Sequence, residues 1–167
     1  MSFIRTELDG VLIYEPKVFP DGRGYFFESY NQNNFLELGL NYNFVQDNQS
    51  KSSYGVLRGL HYQLEPYAQT KLVRVISGKI WDVIVDIRKN SPTYKKWIGM
   101  ELSEDNFRQV VIPKGFAHGF IVLSDEAVIS YKCDNFYNKQ SEGGVRFDDP
   151  ELHIDWKLPS KDILLSD

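Results

Sequence analysis

Along the chain, short runs in which apolar and polar residues alternate, each closed by Gly, Pro, Asn or Asp, outweigh any helical period. The pattern predicts strands at residues 11–14, 24–30, 44–50, 55–63, 71–77, 79–88, 97–103, 108–113, 119–123 and 127–133. One helix is predicted over "NQNNFLELG" (31–39), where Asn31 suits an N-cap and Gly39 a stop, with a second helical turn near "SEDN" (103–106). Many short strands at this spacing indicate an all-β sandwich or barrel with a few short helices. In "KIWDVIVDIR", alternation sets Trp81, Val83, Val85 and Ile87 on one face and Ile80, Asp82, Ile84 and Asp86 on the other. A face that mixes carboxylates with aliphatics either meets solvent on a sandwich or lines a ligand cavity in a barrel.

Composition narrows the classes. At 167 residues and 19.4 kDa, with no linker, repeat or low-complexity stretch, residues 1–167 read as a single domain able to bury a core without disulfides. Nineteen basic residues against 23 acidic, without a run of like charge, leave no electrostatic footprint for nucleic acid. An anionic ligand would have to be gripped locally. The single cysteine, Cys133, sits in an apolar strand where burial is expected. No apolar run approaches the ~20 residues of a membrane span, and the N-terminus has no signal-like apolar core, so a cytoplasmic location is expected.

The stretch "VLRGLHYQ" (56–63) places Arg58, His61 and Gln63 inside a run that otherwise reads as buried strand. Regular alternation would turn His61 and Gln63 away from Arg58, unless Gly59 marks a bulge or Arg58 serves a ligand shared between subunits. No Gly-x-Ser-x-Gly elbow is present, and no phosphate-cradling Gly-rich motif. "PKGFAH" (113–118) matches the Pro-x-Gly-x-x-His turn of the second cupin motif, a jelly-roll signature. His61, however, is followed by Tyr62 and Gln63 instead of a second histidine, which argues against a tight metal site. Proton transfer remains, with His61, Lys71, Asp82, His118 and Tyr131 on predicted strands or their ends.

"RTELDGVLIYEPKVFPDGRGYFFESYN", "FVQDNQSKS", "GVLRGLHYQ", "KLVRVISGKIWDVIVDIRKNSPTY", "IPKGFAHGF" and "DDPELHIDWKLP" together resemble the dTDP-4-dehydrorhamnose 3,5-epimerase family over nearly the whole chain. The resemblance implies a cupin-type jelly roll, a homodimer without metal or other cofactor, acting on a dTDP-linked 4-keto-6-deoxy sugar in dTDP-L-rhamnose biosynthesis. It implies that His61 removes each proton at C3 and C5 to give an enolate and that Tyr131 returns one from the opposite face. Lys71 would stabilise the enolate, and His118 would lie in the sugar pocket with Asp82 fixing its tautomer. Arg23, Glu28, Gln46, Asp47, Asn48, Arg58 and Glu142 match nucleotide-binding positions, and Tyr137 an aromatic near the base or sugar. The apolar neighbours of His61 would then exclude water from the base.

Two readings of the C-terminus remain. The family pairs its catalytic histidine with an aspartate in a late Ser-x-Lys-Asp segment. "SKD" at 160–162 offers Asp162 but follows Trp156 closely, whereas starting the motif at "ILLSD" puts the aspartate two residues beyond Asp167. Two alternative functions also fit the sequence: a 3- or 5-monoepimerase on a related sugar, and a non-catalytic cupin that binds a nucleotide sugar.

Overall fold

The alternating runs become two facing antiparallel sheets in the computed structural model, which describes residues 2–166. The strands are β1 (Ser2–Arg5), β2 (Leu12–Glu15), β3 (Phe19–Asp21), β4 (Gly24–Phe26), β5 (Gln46–Ser53), β6 (Leu57–Gln63) and β7 (Lys71–Ser77). They continue as β8 (Lys79–Asp86), β9 (Trp97–Ser103), β10 (Gln109–Ile112), β11 (Phe116–Val122), β12 (Glu126–Cys133) and β13 (Glu142–Gly144). One sheet has the order β1-β2-β10-β7-β12-β5 and the other β13-β6-β11-β8-β9, while β3 and β4 form a separate hairpin. This is the expected all-β, cupin-like sandwich. The one α-helix among the described residues, α1 (Gln32–Leu36), starts where Asn31 Oδ1 accepts the Asn33 N–H at 3.1 Å. Past its end, Gly39 adopts φ +75°.

β7 and β9 begin and end where alternation predicts. β4 is shorter, because from Phe27 the chain leaves the strand and that ring packs edge-on against Phe107 at 5.4 Å. The segment 103–106 is a turn in which Ser103 and Asn106 bond each other's backbone, instead of a helical turn. β1, β3 and β13 were not predicted: "FPD" carries a proline and "EGG" has no alternation to read.

The core explains the alternation of β8. Ile80 and Ile84 point between the sheets toward Val73, Val110 and Ile129. Val83 and Val85 face outward, and are covered by the C-terminal segment through Leu152 and Trp156. Both faces of this sheet's centre are therefore dry, and every residue of β11 is buried. Asp82 and Asp86 are wholly buried, so the solvent-exposed reading of their face does not hold. Burial would push the Asp86 carboxyl up, but hydrogen bonds from Arg88, Ser91 and Thr93 outweigh it and hold the group well below the usual carboxylate range.

Candidate active site

At one end the inter-sheet core is left unfilled, and a cavity of about 450 Å³ opens there. Val73, Phe120 and Ile129 belong both to the core and to the cavity wall, so the floor is a continuation of the packed interior. Arg58 and His61 on β6 and His118 on β11 enter from the five-stranded sheet. Lys71 on β7 and Tyr131 on β12 enter from the six-stranded sheet. A smaller cavity of about 290 Å³ shares His61, Lys71 and Tyr131 and adds Gln46, Asn48, Tyr137 and Glu142.

The conflict between Arg58 and His61 is resolved by irregular pairing. His118 lies opposite His61 and Phe120 opposite Arg58, so three steps on β6 match two on β11. That extra residue returns both side chains to one face. Gly59 has φ +126°, and a Cβ there would come within 2.4 Å of Gly119 Cα, a closeness only two glycines permit. Arg58 is further fixed by donating its Nε–H to Ser52 Oγ at 2.9 Å.

His61 Nδ1 stands 3.6 Å from Glu142 Oε1, and the His61 side chain is 55% exposed. Within one chain its apolar neighbours back the strand without screening the ring from water. Partial burial lowers its pKa from 6.5; Glu142 opposes that shift, while Lys71 and His118 add to it. Burial also pushes the Lys71 ammonium below its ordinary value, partly offset by Cys133, Asp82 and Glu142. The Lys71 Nζ lies 5.9 Å from the centre of the Tyr131 ring. Burial raises the Tyr131 phenol, nearby Cys133 adds to this and Arg58 opposes it, so the phenol keeps its proton at neutral pH. Cys133 is fully buried with its thiol pushed up to about 11, chiefly by burial, and is therefore no nucleophile near neutrality.

His118 Nε2 meets Asp82 Oδ2 at 2.7 Å in the buried wall. Such a bond fixes which ring nitrogen faces the carboxylate and leaves Nδ1 for other partners. Among the described residues no group of three or more His, Cys, Asp or Glu side chains is placed to hold a metal ion.

Several sequence-assigned residues lie elsewhere. Alternation along β5 sends Gln46 and Asn48 to the smaller cavity, while Asp47 pairs on the opposite face with Lys132 Nζ at 3.0 Å. Arg23 sits at the tip of the β3–β4 hairpin, bound to Asp21 with its side chain 90% exposed. Glu28 accepts a hydrogen bond from Asn31 and lines neither of these cavities. Asp162 does not pair with His61; among the described residues that partner is Glu142, and the Asp162 carbonyl packs against Gly55. The other alignment would place its aspartate past Asp167, outside the described residues. Leu164, Leu165 and Ser166 run beside β6 and form part of the cavity rim. Sequence reasoning noticed Gln63 beside His61 without giving it a role, and passed over Ser52, which lies in the uniformly polar run of β5.

A family model described as dTDP-4-dehydrorhamnose 3,5-epimerase matches residues 5–167. The chain belongs to this family. It is 59% identical over 168 residues to the dTDP-4-dehydrorhamnose 3,5-epimerase of Shigella flexneri, covering 100% of this chain and 92% of that one. Among solved structures, the dTDP-6-deoxy-D-glucose-3,5-epimerase of Legionella pneumophila in complex with dTDP-4-keto-L-rhamnose is 49% identical with a TM-score of 0.94. That match covers 99% of this chain and 87% of the Legionella chain. A 3'-monoepimerase from Streptomyces bikiniensis in complex with dTDP-quinovose is more distant, at 30% identity and a TM-score of 0.89, covering 97% and 82%. Among the described residues no helix is long and apolar enough to cross a membrane.

Proposed function

We propose that this epimerase-family chain inverts C3 and C5 of dTDP-4-dehydro-6-deoxy-D-glucose through enolate intermediates, without a cofactor, in dTDP-L-rhamnose biosynthesis. The observation that carries this reading is that His61 and Tyr131 line one cavity from opposite sheets. A ketone at C4 acidifies the hydrogens on both neighbouring carbons, so a base on one face and an acid on the other suffice for inversion. His61 is the base, because its pKa leaves it neutral near pH 7. Tyr131 is the acid that delivers the new hydrogen. Lys71 stabilises the enolate oxygen; one such donor aimed at developing charge contributes about 3 kcal/mol in a water-poor site. His118, held by Asp82, binds the sugar, and Arg58 with Gln46, Asn48, Tyr137 and Glu142 binds the nucleotide. Arginine suits a diphosphate because its fork donates two parallel hydrogen bonds.

A homodimer forms part of the proposal. The β3–β4 hairpin is paired to neither sheet and exposes Phe19, Tyr25 and Phe26 at 50%, 58% and 66%. A lone two-stranded ribbon with bare aromatics is marginal in water and calls for a surface to cover it. A second copy would provide that surface, and would bring Arg23 and Glu28 toward the partner's cavity. Sedimentation as a monomer at micromolar concentration would remove this part. A cytoplasmic location accords with the single buried thiol of Cys133.

The test is deuterium wash-in from heavy water. With the dTDP-4-keto-6-deoxy sugar, label is expected at both C3 and C5; label at one carbon alone would make the chain a monoepimerase. Binding of dTDP with no exchange at either carbon would make it a non-catalytic binder.

Acidity supplies a separate check. A base works in its neutral form, so kcat/KM should fall as pH drops through the His61 pKa, which lies below 6.5. Glu142 raises that pKa, so Glu142→Gln should move the acid limb to still lower pH. A limb that moves upward, or lies above 6.5 in the wild type, would show that another group controls it.

A further inference from the structure

Tyr137 is 54% exposed and Phe136 61%, on the loop between β12 and β13. So little packing would normally leave such a loop mobile. Its main chain is instead tied at each residue from Asp134 to Asn138. The Asp134 N–H donates to the Thr70 carbonyl at 3.1 Å. The Asn135 carbonyl accepts from Gln69 Nε2 at 2.8 Å. The Phe136 carbonyl accepts from Gln63 Nε2 at 3.4 Å. The Tyr137 N–H donates to Gln46 Oε1 at 3.1 Å, and the Asn138 N–H to Gln63 Oε1 at 2.7 Å.

Gln63 is the residue that closes this clamp. Both ends of its amide are used, and Nε2 also donates to the Tyr67 carbonyl at 2.7 Å, which joins a second loop. It lies on β6 two residues after His61. The Tyr137 hydroxyl donates to Glu142 Oε2 at 2.8 Å, and the other oxygen of Glu142 faces His61. The tyrosine ring is thus held at its backbone by glutamines and at its hydroxyl by the carboxylate beside the base.

We propose that Gln63 is a positioning residue that pre-sets Tyr137 as the wall against which the nucleobase packs, joining the nucleotide end of the site to the strand that carries His61. This rests on the nucleotide-sugar reading above. A loop fixed before binding removes an ordering cost that would otherwise weaken the complex. The energy therefore appears in affinity for the nucleoside part and leaves the chemical step unchanged.

The test is calorimetric titration of Gln63→Met, which keeps the side chain's length and deletes both hydrogen-bonding ends, with dTDP and with pyrophosphate. The dTDP Kd should rise about five- to twentyfold, while pyrophosphate affinity stays within about twofold. At saturating sugar nucleotide, kcat should stay within about threefold of wild type while KM rises. In a Tyr137→Ala background the same substitution should cost less than about twofold, because the two act through one ring. An unchanged dTDP Kd, an equal loss for pyrophosphate, or a penalty that survives intact without Tyr137 would overturn the assignment. Should Gln63→Met fail to fold, amide exchange in the wild type decides: the Tyr137 and Asn138 N–H groups should be protected, and exchange at unstructured rates would overturn the clamp. Wild-type protein that binds no dTDP would instead sink the nucleotide-sugar reading itself, and the clamp's purpose with it.

Discussion

Replacing His61 with asparagine is expected to lower kcat by about 10²–10⁴, with deuterium wash-in at C3 and C5 falling together. Asparagine keeps much of the ring's reach and its capacity to hydrogen bond near Glu142, but it cannot accept a proton from carbon. The joint loss is the informative part. One imidazole serves both carbons in this reading, so the substrate must present C3 and C5 in turn to the same nitrogen, and neither exchange has an independent base. Deuterium entering one carbon at the wild-type rate in the variant would reveal a second base and end the single-base mechanism. Binding of dTDP to the variant should change little, which separates loss of chemistry from loss of fold.

For Tyr131→Phe the expectation differs in kind. In the proposed mechanism the base and the enolate-stabilising Lys71 remain, so the carbon acid still ionises and His61 can return a deuteron to the face from which it took the hydrogen. Label should enter the sugar with retained configuration, while inverted product falls by about 10²–10⁴. Nuclear magnetic resonance of the recovered sugar nucleotide reads label and configuration in one sample. Inversion continuing near the wild-type rate would remove Tyr131 as the donor and point to water or another side chain on that face.

The sandwich was legible where alternation was clean. β7 and β9 could be bounded to the residue, because each faces the core with one set of side chains and something different with the other. β8 gave its faces correctly but not their environment: Asp82 and Asp86 looked as suited to solvent as to a cavity, and it is their place on the inner face, with Ile80 and Ile84 toward the other sheet, that buries them. For the site, residue chemistry and family resemblance together singled out His61, Lys71, His118 and Tyr131, which tertiary structure does bring to one cavity. Local pattern could not place Arg58 beside His61, since the irregular step at Gly59 depends on a glycine from another strand, Gly119. Arg23 and Glu28 are separated from the cavity for a reason that one chain's sequence cannot display, namely that the hairpin stands apart from both sheets. Asp47 was assigned by its neighbours and is turned away by the pleat. Gln63 stood out only as a polar residue in an apolar run, and its role could not be read there, because it acts on main-chain groups of Phe136 and Asn138 that are distant in sequence.

Because His61 is rooted in one sheet and Tyr131 in the other, the span between them is the thickness of the sandwich itself, about 10 Å from backbone to backbone. No local hinge sets it. The aliphatic residues wedged between the layers act as the spacers of a vice whose jaws are the imidazole and the phenol. A lineage that resizes those spacers resets the jaw gap as well, so interior volume and stereochemical outcome would be expected to drift together.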